Sequence, residues 1–94
     1  MGLVFEWDPE KALRNIKTHG VSFDEASTAF RDPSSRTIGD TLHSEEEERF
    51  VLIGHSIRVR LLVIVHTEKD DRIRIISARL ATNRERLRYE ENEE

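Results

Sequence analysis

His66 and Glu68 stand two residues apart at the end of a β-prone run, so in an extended chain both side chains leave the same face. An imidazole beside a carboxylate is a pair suited to proton transfer near neutral pH. Arg74, Ser77 and Arg79 lie on the run that follows and returns past them. Arginine forks match phosphate oxygens and stabilise the charge that develops on a pentacoordinate phosphorus. A phosphodiester flanked by its own 2′-hydroxyl, as in RNA, asks for little more than a base, an acid and fixed positive charge. The same residues also read as plain structure: a histidine closing an apolar strand, a turn-flanking Glu68, and arginines that partner acidic residues across strands.

Other chemistries find less support. His19, His43, His55 and His66 show no paired metal-ligand spacing, and the chain has no cysteine, so neither a metal nor a cofactor is expected. There is no glycine-rich phosphate loop and no serine nucleophile elbow. Phe5, Trp7, Phe23, Phe30, Phe50 and Tyr89 mostly fall at core-like positions rather than as base-stacking pairs.

The elements that must position these groups follow from local signals. Asp8-Pro9 opens a first helix, with Ala12, Leu13 and Ile16 on one face and Gly20 at its end. Ser22 and Glu25 form a capping box for a second helix, whose buried stripe is Phe23, Ala26, Ala29 and Phe30 and whose stop is Asp32-Pro33. Residues 36–38 can form a short strand. Residues 50–54 and 61–65 are continuous apolar runs of buried-strand length, reversed over 55–58. Lys69-Asp70-Asp71 is a tight turn. Residues 72–75 alternate apolar and basic, and the phase breaks just after Ile75, which signals a bulge or an edge. Thr82 and Glu85 cap a last helix that carries Arg84, Arg86 and Arg88 outward.

The expected fold class is therefore α+β: two N-terminal helices, an antiparallel three- to four-stranded sheet and a C-terminal helix. Ninety-four residues suit a single domain, 1–94. The longest apolar run, residues 61–65, is too short to span a bilayer, so no membrane association is expected. The N-terminus lacks a signal-peptide pattern, and cytoplasmic placement is expected.

A net charge of −4 hides an uneven distribution. Asp40 and Glu45 to Glu48 make residues 40–48 a run of −5. Residues 49–89 hold ten Lys or Arg against Glu68, Asp70, Asp71 and Glu85, a balance of +6. A polyanion has its docking charge in that second half, although a salt-bridged solvated surface accounts for the same counts.

Phe5-Glu6-Trp7-Asp8 with Lys11, the stretch from Asn15-Ile16-Lys17-Thr18-His19-Gly20 to Phe23, then Glu25-Ala26 and Phe30 resemble the start of BrnT family toxins. The resemblance continues through His43-Ser44-Glu45, Glu48-Arg49-Phe50 and Ile53-Gly54. It is densest at Val65-His66-Thr67-Glu68, Arg72 to Arg79, Ala81-Thr82, Glu85-Arg86 and Tyr89-Glu90. It implies a RelE-like ribonuclease that inhibits translation, paired with a BrnA-like ribbon-helix-helix antitoxin through which any DNA contact is made. Carried over by position, it assigns phosphate stabilisation to Arg79 and proton transfer to His66 and Glu68. Lys17, His19, Arg49, Arg60, Arg74, Ser77 and Arg84 are assigned to holding the RNA. Leu80 and Thr18 depart from the family, which often carries basic residues there. The contrasting expectation is a non-catalytic interaction or RNA-binding protein acting with a ribbon-helix-helix partner.

Overall fold

The computed structural model describes residues 2–40 and 47–91. The predicted loop around His43 to Glu46, and the last three residues of the acidic tail, lie outside them.

Strand β1 (Val4–Glu6) leads into helix α1 (Pro9–His19) and helix α2 (Phe23–Thr28), which tightens into a 3-10 turn over Ala29–Arg31. Strands β2 (Arg36–Gly39), β3 (Arg49–His55), β4 (Leu61–Lys69) and β5 (Arg72–Leu80) follow, and α3 (Asn83–Glu91) closes the order. The sheet order is β1-β5-β4-β3-β2. The predicted antiparallel meander is present from β2 to β5. A fifth strand, β1, makes the sheet mixed, pairing parallel to β5 with Val4 opposite Arg72 and Glu6 opposite Arg74. Three residues carry too little alternation to announce a strand, and this one is defined by its distant partner rather than by its own pattern.

Helix α1 begins where predicted: the Asp8 carboxylate accepts the Glu10 N–H at 2.9 Å, and Gly20 ends it at φ 69°. Its inward face differs from the expected one. Leu13 is 64% exposed and Ile16 is also exposed, whereas Asn15 is buried. The Asn15 amide donates to the Val21 and Ala78 carbonyls at 2.9 and 2.7 Å and accepts the Ala78 N–H at 3.2 Å. A polar side chain thus joins α1 to β5, and the helix turns its larger aliphatics outward to let it.

The predicted α2 stripe is inside: Phe23, Ala26 and Ala29 join Val21, Leu52, Leu62, Ile64, Ile73, Ile75 and Ala78 in the core, with Phe30 packed against them. Only half of the expected reciprocal cap forms there. Ser22 Oγ accepts the Glu25 N–H at 3.0 Å, but the Glu25 carboxylate turns away to Ser56 and Arg60. The Thr82–Glu85 box of α3 closes in both directions, at 2.9 and 3.1 Å.

Candidate functional site

Alternation along paired strands sorts the sheet's side chains onto two faces. One face is covered by α1 and α2 and forms the core. On the other, register aligns Arg49 with Thr67 and Arg74, Val65 with Ser77, and Val63 with Arg79. Between Val65 and His66 the β4–β5 register slips, leaving Ile76 as the additional residue of β5. That bulge is the phase break foreseen in the sequence. It restores Ser77 and Arg79 to the face that Arg72 and Arg74 occupy, where simple alternation would have turned them into the core.

His66 and Glu68 therefore belong to the opposite parity from Arg74. The His66 side chain is 0% exposed, its ring set edge-on to Phe30 and stacked on Phe50, with centroids 4.9 and 5.8 Å away. Its Nε2 meets Glu68 Oε2 at 2.9 Å, and Nδ1 has no hydrogen-bond partner among the described residues. Glu68, at the strand end, is 41% exposed. It lines a hollow of about 270 Å³ with Glu6, Glu47, Glu48, Thr67, Lys69, Arg72 and Arg74, four carboxylates facing three cations. The carboxylate is thus reachable from solvent, with the imidazole sealed behind it. Glu6 bonds Arg72 at 3.1 Å and lies 3.5 Å from Arg74.

Arg79 sits at the other end of β5. Its two terminal nitrogens hold Glu85 at 2.8 and 2.9 Å. The Arg79 hydrogen bond, with help from the cap at Thr82, holds the Glu85 carboxyl down at about 2, and Arg79 is raised in return by Glu85. Thr67 and Val63, the β4 partners of Arg74 and Arg79, are four positions apart, about 13 Å along the strand. The residues that the sequence grouped at one hairpin therefore form two clusters at opposite ends of the β4–β5 pair, with Ser77 between them.

The remaining expected contacts spread further. Lys17 and His19 lie at the C-terminal end of α1, and His19 borders a hollow with Lys11, Arg14 and Thr18 on the helical side of the sheet. Arg84 is exposed on α3. Arg60 is tied inward: its guanidinium grips the buried Glu25 carboxylate through Nε and a terminal nitrogen and also donates to the Gly20 carbonyl at 3.1 Å. The Arg60 hydrogen bond holds the Glu25 carboxyl below its ordinary range, against the opposing effect of burial.

Three residues that sequence reasoning did not join form a further cluster. Tyr89 donates its hydroxyl to Asp32 Oδ2 at 2.6 Å, the same oxygen accepts the His55 N–H at 2.7 Å, and the His55 ring packs edge-on to Tyr89. Burial pushes the Asp32 carboxyl up, but the donors from His55, Tyr89 and Ser34 outweigh it and leave it lowered. Only Tyr89, one of two large apolar residues in a polar helix, signalled this contact; the other, Leu87, is exposed. Among the described residues, no three His, Asp or Glu side chains converge as a metal site, and no helix is long and apolar enough to cross a membrane.

Fold and face together define a small α+β protein with a five-stranded mixed sheet, α1 and α2 on one side, and on the other an arginine-bearing face over which α3 leans. The sequence model described as ribonuclease toxin, BrnT, of type II toxin-antitoxin system matches residues 7–85, and the chain belongs to that family. The crystal structure of the Brucella abortus ribonuclease toxin, BrnT, is similar in fold, with a TM-score of 0.64 at 20% identity over 88% of this chain and 99% of that one. No curated protein matches the sequence.

Proposed function

We propose that this protein is the toxin of a type II toxin–antitoxin pair, a RelE-like endoribonuclease that cuts RNA without a metal and so inhibits translation in the cytoplasm. The observation that carries the reading is the alignment of Arg49, Arg74, Ser77 and Arg79 on one sheet face, in a chain of a ribonuclease toxin family. An RNA strand laid along β5 meets both arginine clusters within a few nucleotides. At the Glu68 end, the carboxylate takes the proton of a 2′-hydroxyl while its oxygen attacks the adjacent phosphorus. The bond from phosphorus to the 5′-oxygen breaks, and that oxygen leaves with a proton delivered from water. Arg74 neutralises the charge on this phosphate, and His66 fixes the Glu68 oxygen through its 2.9 Å contact. Arg79 stabilises a second phosphate at the other end of the strand. The partner is a BrnA-like ribbon-helix-helix antitoxin, and DNA is contacted through that partner.

One observation favours the second reading, RNA binding without cleavage: Arg79 is already occupied by Glu85 and His66 is closed to solvent. Antitoxin-free protein incubated with RNA and a chelator separates the two. Cleavage leaving 2′,3′-cyclic phosphate ends, abolished in Glu68→Gln and Arg74→Ala, is the expected result. Arg79→Ala breaks an ion pair as well as removing a cation. Glu85→Gln breaks the same pair and is expected to cleave at least as fast, which isolates the part Arg79 plays toward RNA. Retained binding with no cut product, with and without ribosomes, would replace the ribonuclease reading with the binding one.

A further inference from the structure

Register places Arg36 of β2, Ile53 of β3, Val63 of β4 and Arg79 of β5 in one straight row across the sheet. Two guanidinium groups thus bracket two aliphatic side chains on the same face, three strand spacings or about 14 Å apart at the backbone. Ile38 and Val51 form the next row, again directly paired. Helix α3 leans over both rows with Glu85, Arg88 and Tyr89, leaving a groove of about 310 Å³ whose rim carries the Glu85 carboxylate, itself paired with Arg79. That volume lies at the small end of ligand pockets, which run from roughly 300 to 1,000 Å³. Its floor of Ile38, Val51, Ile53 and Val63 is entirely β-branched, so the side chains are stiff and the surface is held ready before anything binds. Ile38 remains 67% exposed, a large apolar group that the fold leaves uncovered.

An aliphatic floor edged by Arg36, Arg79 and Arg88, with the single Glu85 carboxylate paired to Arg79, keeps a net positive rim. It suits a ligand with an apolar flat face and an anionic edge that displaces Glu85 from Arg79. A protein side chain seated here has use for the floor but none for the arginines, and a lone phosphate has use for the arginines but none for the floor. We propose that the groove between α3 and the β2–β3–β4 surface is a nucleobase subsite: one base of the bound RNA lies on Ile53 and Val63, with its flanking phosphate on Arg79. The subsite rests on the ribonuclease reading for its substrate. It lies away from Glu68 and Arg74, and so reads the identity of a nucleotide flanking the cut rather than taking part in the chemistry. Bases held against a protein surface through their faces bind with weak sequence preference, and the enclosed walls of a groove sharpen it.

The test uses methyl-labelled protein titrated with the four nucleoside 3′-monophosphates and with ribose 5-phosphate. Ring-current shifts at the Ile38, Val51, Ile53 and Val63 methyls with the monophosphates, absent with ribose 5-phosphate, are the expected result. Nucleotide affinity should exceed that for ribose phosphate by about tenfold, the worth of burying one base face on aliphatic side chains. Ile53→Ala and the edge-strand variant Ile38→Ala, each checked for an unchanged melting curve, should erase most of that difference. They should also alter which nucleotide flanks the cut in sequenced RNA products. RNA cleaved by both variants with an unchanged pattern, together with silent methyls, overturns the subsite and leaves the ribonuclease reading standing. Methyl shifts with nucleotides but no RNA cleavage keep the subsite and remove the ribonuclease. Methyls that respond to the purified antitoxin and to no nucleotide overturn the subsite in favour of a protein occupant.

Discussion

Arg60 shows how one side chain can look like a ligand contact in sequence and a structural tie in space. Its fork closes on Glu25, a carboxylate at the inner edge of α2 that also accepts the Ser56 hydroxyl at 2.7 Å. Arg60→Ala leaves that carboxylate buried with Arg58 3.7 Å away, and should cost about 2 kcal/mol in denaturant melts. RNA affinity, measured well below the midpoint, should change little. The Glu85 carboxyl offers a pH readout. It sits at about 2 in the folded chain against an ordinary 4.5, so the folded state binds its proton less readily than the unfolded one. Its stabilising contribution is complete above pH 4.5 and disappears as pH falls toward 2. Glu85→Gln keeps the capping box and should therefore be less stable than the parent at pH 7 by at most about 1 kcal/mol, from the lost ion pair with Arg79. The gap should close in acid melts near pH 2.

Helix α3 is the element with the least to hold it. Tyr89 is its buried residue, and the Tyr89 hydroxyl is anchored on Asp32, far earlier in the chain. Tyr89→Phe keeps the ring and removes the donor. It should cost about 1 kcal/mol overall and raise hydrogen exchange in α3 more than in β4. Elements of this kind mark where the sequence was legible. Caps at Asp8, Ser22 and Thr82 were readable because they act over three residues, and the bulge after Ile75 because it breaks a local alternation. The strand β1, the outward turn of Leu13 and the pairing of Arg60 with Glu25 were not, because each depends on a partner dozens of residues away. The candidate site divides in the same way. Its residue types were visible, but sorting His66 and Arg74 onto opposite faces needed the register of three strands.

At the scale of the molecule, an acidic chain presents its cations selectively. The net charge of −4 coexists with a sheet face that carries Arg49, Arg72, Arg74 and Arg79. If three or four of these meet phosphates, log affinity for single-stranded RNA should fall against log salt with a slope of about −2 to −3. A filter-binding series across salt concentrations measures it, and a flat response would mean that the RNA is held by something other than this face. The parallel pairing of Val4 with Arg72 carries a consequence for the order of folding. β1 reaches β5 across more than sixty residues of chain, so this edge closes only by a long-range contact, whereas the β2–β5 meander is built from neighbours. Until that contact is made, the edge of β5 that carries Arg72 and Arg74 has an unpaired backbone.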